Sequence, residues 1–184
     1  IENVANFIID QEITTFCGVD PALTRKLKAM LLFLADNLPY EVNISKLASY
    51  LEINKNTVVN YMNAMQRAEL LHLVYCDNKP VTKMQKPDKI FIHNTNMLYA
   101  LSSRLVTGTI RECFVVNQLS VNHTVEYSKN EGDFRIDGKV ILEVGGNKKS
   151  FDQIADIPNS YILADDMEYP VGKKLPLWIV GMNY

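Results

Sequence analysis

The spacing of apolar and polar positions predicts three consecutive helices near the start of the chain, because apolar side chains recur there every three or four residues. The first helix is expected to begin at Asp20-Pro21, an N-cap acid followed by proline, and to end at Pro39. Asn43 and Asn54 stand where an N-cap belongs before the second and third helices. All three helices are therefore predicted to bury one apolar face.

Two strand-like runs follow these helices, at Leu71–Tyr75 and Val81–Gln85, with a turn between them. Three helices and a hairpin, with a short link between the second and third helix, form the pattern of a winged helix-turn-helix. We therefore predict such a domain over residues 20–86. Residues 1–19 carry no clear helix start and are treated as a separate N-terminal segment.

The pattern changes after a Lys- and Pro-containing linker at residues 86–90, and residues 87–184 alternate between short helices and strands. Strands are predicted at Ile90–His93, His123–Tyr127, Tyr161–Ala164 and Leu177–Val180, and helices at Asn96–Ser103, Thr109–Ser120 and Phe151–Ile154. This alternation predicts an α/β sandwich with a mixed central sheet. The whole chain is thus expected to be α+β, a winged helix-turn-helix followed by this sandwich.

A β-hairpin is predicted around Asp137-Gly138, because both residues tolerate positive φ. A two-residue loop would place Asp133 and Glu143 on opposite faces. A three-residue loop that pairs Arg135 with Lys139 leaves one face wholly apolar, and we expect this register because a buried face fixes strand pairing. Asp133 and Glu143 then become diagonal neighbours about 7 Å apart. Two carboxylates at that separation can bind one divalent cation, which takes oxygen ligands.

The exposed face of the predicted third helix is rich in amides. It carries Asn56, Asn60, Asn63 and Arg67, with Lys55 and Thr57 nearby. Asparagine is a poor helix former, costing up to about 0.7 kcal/mol relative to alanine. These side chains can hydrogen-bond base edges or phosphates, which predicts contact with double-stranded DNA. A solvated face, or a face docked on another part of the protein, is the alternative interpretation.

Charge and cysteine content add two constraints. The net charge is −2, but residues 21–90 carry ten basic and six acidic side chains, which favours this section for nucleic-acid contact. Three scattered cysteines without a CxxC pair predict reduced thiols and a cytoplasmic protein. No apolar run approaches the roughly 20 residues that span a membrane, and there is no phosphate-binding GxxxxGK[ST] loop.

Several short stretches resemble, in order, the C-terminal region of a group of prokaryotic AAA-type ATPases of poorly known function. They are Asn43–Ala48, Lys89–Asn96, Gly108–Glu112, Gly132–Phe134 and Glu143–Gly146. In that group an ATPase domain precedes a winged helix and a PD-(D/E)XK nuclease-like domain. The resemblance implies that this chain, which begins with Ile1, comes from such a protein, with ATP binding confined to the missing N-terminal domain.

The nuclease pattern assigns roles to individual residues. Asp133 would be the motif aspartate, Glu143 the second ligand of a Mg²⁺ or Mn²⁺ ion, and Glu112 the accessory glutamate of the metal site. The family lysine two residues after the second acid is Gly145 here. Gly145-Gly146 would allow Lys148 or Lys149 to reach the acids from a displaced position, and Lys148 is assigned this role among the catalytic residues.

Each acid also has a structural explanation. Thr109-x-x-Glu112 is a capping box, Asp133 could be a solvated strand-end acid, and Glu143 could pair with a basic neighbour. Two functions follow: a metal-dependent DNA endonuclease, or a catalytically inactive DNA- or protein-interaction module that regulates the ATPase domain. The sequence fixes neither the oligomeric state nor the substrate.

Overall fold

The computed structural model describes residues 1–17, 20, 23–38, 40–76 and 86–182. They form an α+β structure with two compact units. The first contains the described residues up to Leu73 together with 86–105, and the second contains 74–76 and the residues from Val106 onward. Within the described part of the chain, no helix has the length and apolar character needed to cross a membrane.

The first unit contains most of the helices. They are α1 (Glu2–Phe7), a π-helical stretch (Ile8–Ile13), α2 (Thr14–Cys17), α3 (Thr24–Asp36), α4 (Ile44–Leu51), α5 (Lys55–Arg67) and α6 (Thr95–Leu101). Helix α3 buries Leu27, Met30 and Leu34, and α5 buries Val58 and Met62. The apolar positions predicted from helical spacing therefore form the core of this unit.

Asparagine side chains cap three of these helices. Asn43, Asn54 and Asn94 accept hydrogen bonds from the backbone N–H three residues later, at 3.0, 2.8 and 2.9 Å. The first two caps confirm the predictions from the sequence. Helix α3 begins at Thr24, later than the predicted start at Asp20-Pro21, while Pro21 and Pro39 lie outside the described residues.

A three-stranded sheet completes the first unit. Its strands are β1 (Tyr40–Glu41), β2 (Leu71–Val74) and β3 (Lys89–Ile92), in the order β1-β3-β2. The predicted strand at Val81–Gln85 lies outside the described residues. Strand β3 pairs antiparallel with β1 and, with α6, belongs to this unit, whereas the sequence analysis placed both elements after the boundary at residue 86. The continuous apolar run of β3 suits a central strand buried on both faces.

The second unit has one long helix against a mixed sheet. Its elements are α7 (Thr107–Leu119), β4 (Val125–Tyr127), β5 (Phe134–Ile136), β6 (Val140–Gly146), β7 (Ser160–Asp165), β8 (Lys174–Pro176) and a 3₁₀ helix (Leu177–Met182). The strand order is β4-β5-β6-β7-β8. Strands β4, β5 and β6 run antiparallel, whereas β7 is parallel to both β6 and β8. The predicted mixed sheet is present.

Two predicted elements of this unit are wrong. Phe151–Ile154 forms turns rather than a helix, and Leu177–Val180 belongs to the 3₁₀ helix rather than to a strand. Ile154 packs in a cluster with Ile141 and Ile162, so its apolar spacing reflects a loop folded onto the sheet. The Ser160 hydroxyl donates to the Ile154 and Ile157 carbonyls and replaces the hydrogen bonds that a helix would supply.

The β5–β6 hairpin has a different register from the predicted one. Ile136 pairs with Val140 and Arg135 with Ile141, so the loop comprises Asp137, Gly138 and Lys139. Asp137 and Gly138 both have positive φ, 52° and 67°, as the turn prediction required. Arg135 was predicted to pair with Lys139, and its partner in the structure lies two residues farther along the chain. A shift of two leaves every side chain on its predicted face.

Candidate functional site

Asp133 is fixed to strand β6 beside Glu143. It directly precedes β5, whose first residue, Phe134, pairs with Leu142, the residue before Glu143. Its backbone N–H donates to the Leu142 carbonyl at 2.8 Å, and its Oδ2 accepts from the Val144 N–H, also at 2.8 Å. The two acids predicted from the hairpin pattern are therefore neighbours in space.

Glu143 is the most buried acid of the site, with a side chain only 1% exposed. Its Oε1 forms an ion pair with the Lys149 ammonium. With the Gln153 amide nitrogen turned toward it, Gln153 donates to Oε1 at 2.5 Å and to Oε2 at 3.2 Å. A buried carboxylate requires such partners, because desolvation of an unpaired charge costs several kcal/mol.

Gly145 makes the approach of Lys149 feasible. A Cβ atom at residue 145 would lie 2.9 Å from both Cβ and Cγ of Lys149, closer than side chains pack. The aliphatic part of Lys149 therefore lies against the bare backbone of Gly145, and its ammonium reaches back to the preceding acid. Gly145 therefore leaves the space in which Lys149 reaches Glu143.

The electrostatics of Lys149 connect the three predicted acids. The hydrogen bond to Glu143 raises the pKa of the Lys149 ammonium, and the charges of Glu143, Asp133 and Glu112 raise it further, while partial burial acts in the opposite direction. All three carboxylates thus lie within electrostatic range of one ammonium group. The three acids that were predicted to share one site therefore act electrostatically on the same lysine.

Glu112 reaches this region from the interior of α7. The helix begins at Thr107, so Thr109 lies within the helix, is 4% exposed and is not an N-cap. The capping-box interpretation of Thr109 and Glu112 is therefore wrong. The Oε2 atom of Glu112 is buried.

Lys148 does not occupy the predicted place. Its side chain is exposed, whereas Lys149 forms the ion pair with Glu143. The sequence contained both lysines after the two glycines but did not determine which of them turns inward. A second cation was missed: Arg111 donates from Nε to Asp165 Oδ2 at 3.0 Å, and its guanidinium would lie 3.5 Å from a Cβ atom at Gly146.

The ligand atoms that the site offers are carboxylate oxygens, which suit Mg²⁺ or Mn²⁺. Carboxylate oxygens are the ligands that these ions prefer, and Mg²⁺ is commonly held by one or two carboxylates together with water and substrate phosphate. Among the described residues, no three His, Cys, Asp or Glu side chains are arranged to hold a metal ion. A cation bound at Glu143 Oε1 would have to take the place of the Lys149 ammonium.

The predicted DNA-contacting residues lie along α5. Lys55, Asn56, Asn60 and Arg67 are exposed, and Asn63 is half-buried. The Thr57 hydroxyl donates to Asn54 Oδ1 at 3.0 Å and so belongs to the helix cap. An open groove borders the start of α5 and is lined by Asn54, Lys55, Asn56, Thr57 and Asn60.

Comparisons of this chain with protein-family models, with curated proteins and with solved structures found no match.

Proposed function

We propose that this chain is the C-terminal DNA-processing module of an AAA-type ATPase, with a winged helix that binds duplex DNA and a PD-(D/E)XK-like unit that cleaves it. The observation that carries the proposal is the ion pair of Lys149 with the buried Glu143, while Asp133 accepts a hydrogen bond from Val144, the next residue of β6. This arrangement supplies the lysine that the sequence pattern lacks. The mixed sheet of strands β4 to β8, with helix α7 in the same unit, supports the proposal.

In this proposal Asp133 and Glu143 would hold the divalent cation, and Glu112 would be the accessory glutamate of the metal site. Such a cation would supply a bound water of lowered pKa and would offset charge on the phosphate. Gln153 keeps the Glu143 carboxylate in a fixed orientation through its two hydrogen bonds. With a cation at Glu143, the Lys149 ammonium would remain beside the acids and would orient the attacking water.

The second candidate function is a catalytically inactive DNA- or protein-interaction module. It is favoured by the partners of Glu143, because Lys149 and Gln153 together engage both carboxylate oxygens. An ammonium that permanently neutralises the buried acid would replace a metal ion rather than assist one. The two functions differ in whether a divalent cation can displace Lys149.

A nuclease assay on duplex DNA with Mg²⁺ or Mn²⁺ tests the first function. Asp133→Asn keeps an oxygen that can accept from the Val144 N–H but loses the carboxylate charge, so it should abolish cleavage while leaving the fold intact. Lys149→Met should lower the rate by about 100-fold or more, the usual cost of removing one positioned hydrogen-bond donor from a catalytic site. Lys148→Met is the matched control and should cut like wild type. Undiminished cleavage by Asp133→Asn would refute the assignment.

A thermal melt with Mn²⁺ separates the two functions when no cleavage is seen. Specific binding at 100 times the dissociation constant stabilises the fold by about 2.7 kcal/mol, which raises the melting temperature by several degrees. Wild type should show this shift and Asp133→Asn should not. Equal melting temperatures with and without Mn²⁺ in both proteins would favour the inactive module.

A further inference from the structure

The outward face of α5 is a single row of polar side chains. Val58, Tyr61, Met62, Ala64 and Met65 are buried and define the inner face of the helix. On a helix of 3.6 residues per turn, Asn56, Asn60 and Arg67 lie opposite this face, and all three are exposed. A helix selected only for its core would not be expected to place poor helix formers along its solvent face.

The spacing of the first two amides matches duplex DNA. With a rise of about 1.5 Å per residue, Asn56 and Asn60 are separated by about 6 Å along α5. Successive base pairs are about 3.4 Å apart, so these amides address positions about two steps apart in a major groove. Lys55 precedes the row and Arg67 ends it, where cations can contact the flanking phosphates.

The carboxamide groups of Asn56 and Asn60 favour adenine over the other bases. An asparagine carboxamide can accept from the N6 amino group of adenine while donating to N7, a pairing that no other base offers in that geometry. Val59 lies beside the row and is half-buried, which places an apolar surface where a thymine methyl group can pack. Guanine, in contrast, is read chiefly by arginine or lysine, and these stand only at the ends of the row.

We propose that α5 reads adenine in A·T base pairs of duplex DNA, with Asn56 and Asn60 as the specificity-determining residues. This inference rests on the proposed DNA binding of the first unit and adds the base preference. The excess of basic over acidic side chains in residues 21–90 provides the charge complementarity for the phosphate backbone. The proposed base preference does not depend on the acids of the second unit.

The test is selection of bound duplexes from a random-sequence pool at low salt in EDTA, followed by sequencing. EDTA prevents metal-dependent cleavage, so the result is independent of the nuclease proposal. Wild type should enrich adenine at positions about two steps apart. Asn60→Ala should reduce discrimination at one of them by about 5- to 100-fold. Asn96→Ala removes an exposed amide from α6 and should retain the wild-type preference.

A second variant separates base reading from phosphate contact. Lys55→Ala should weaken binding to every duplex alike and reduce the slope of log affinity against log salt by about one, without changing the selected sequence. Equal selection by wild type, Asn56→Ala and Asn60→Ala would overturn the inference, and so would a bound pool without base preference. Absence of duplex binding at low salt would overturn both the inference and the proposed DNA binding, while leaving the metal-site tests unaffected.

Discussion

At the scale of single residues, the close contact between Gly145 and Lys149 allows the Lys149 ammonium to reach Glu143. Gly145→Ala places a methyl group 2.9 Å from the Lys149 stem, so either the lysine or the strand must move. Overpacking of this kind costs about 1–3 kcal/mol of unfolding free energy. Chemical denaturation should show this loss, whereas Gly108→Ala, in open space on α7, should be neutral or stabilising by up to about 1 kcal/mol.

The cost should disappear if the lysine stem is absent. In the double variant Gly145→Ala/Lys149→Gly no side-chain atom of residue 149 remains to clash, so the two single effects should not add. Additive losses would show that the alanine disturbs something other than Lys149.

The ion pair of Glu143 gives a second prediction at this scale. Lys149→Met removes the ammonium partner of a buried carboxylate. Loss of one partner of a fully buried pair costs about 3–5 kcal/mol, and we expect about 2 kcal/mol here because Lys149 is partly solvated. Denaturation of Lys149→Met and Lys148→Met compares the inward and the exposed lysine. Glu143→Gln in the Lys149→Met background should recover part of the loss, and equal stability of the two lysine variants would contradict the role of the pair.

At the scale of elements, the asparagine caps illustrate how local the sequence signals for helices are. Asn54 accepts from both the backbone and the hydroxyl of Thr57 at the start of α5. Asn54→Ala should therefore lower the unfolding free energy by about 1 kcal/mol. Asn56→Ala, two positions later and exposed, should instead be neutral or slightly stabilising because alanine is the better helix former. Equal losses in these two variants would show that the cap contributes nothing specific.

The elements that sequence could predict are those determined by neighbouring residues. The caps at Asn43 and Asn54 and the positive φ angles at Asp137-Gly138 depend on a few adjacent positions and were predicted correctly. The place of β3 depends on pairing between Tyr40 and Ile90, fifty residues apart, which local spacing does not encode. Likewise, the inward orientation of Lys149 depends on the following loop, where the apolar residues of Phe151–Ile154 have helical spacing but form turns.

At the scale of the whole molecule, the two units should respond differently to mild acid. In the first unit the rings of His72 and His93 stack at 4.5 Å. Burial and the neighbouring His93 lower the pKa of His72 to about 4, and burial also lowers the pKa of His93. An unfolded chain protonates histidine near pH 6.5, so this stability is complete above that pH and is lost as the pH falls toward 4.

We therefore expect the first unit to lose about 2 kcal/mol of stability between pH 7 and pH 5. In the second unit, hydrogen bonds from the Thr124 N–H and from His123 lower the pKa of Asp137. The stability that Asp137 contributes is lost only as the pH falls below about 4. Hydrogen exchange, corrected for intrinsic rates, should show faster opening of β2 and β3 at pH 5 but not of β5 and β6. His72→Phe should remove most of the difference, and equal acceleration in both units would contradict this account.

The glycine at position 145 also bears on how such a site could change over generations. In this chain the ammonium group reaches Glu143 from the loop, at position 149, and a side chain at position 145 would need part of the same volume. A chain with long side chains at both positions has no room for them, because each fills the volume that the other needs. A lineage could therefore move the lysine from position 149 to position 145, or back, only through an ancestor in which neither position carried a lysine. A sequence motif with a fixed spacing after the acid recognises only one of these two positions.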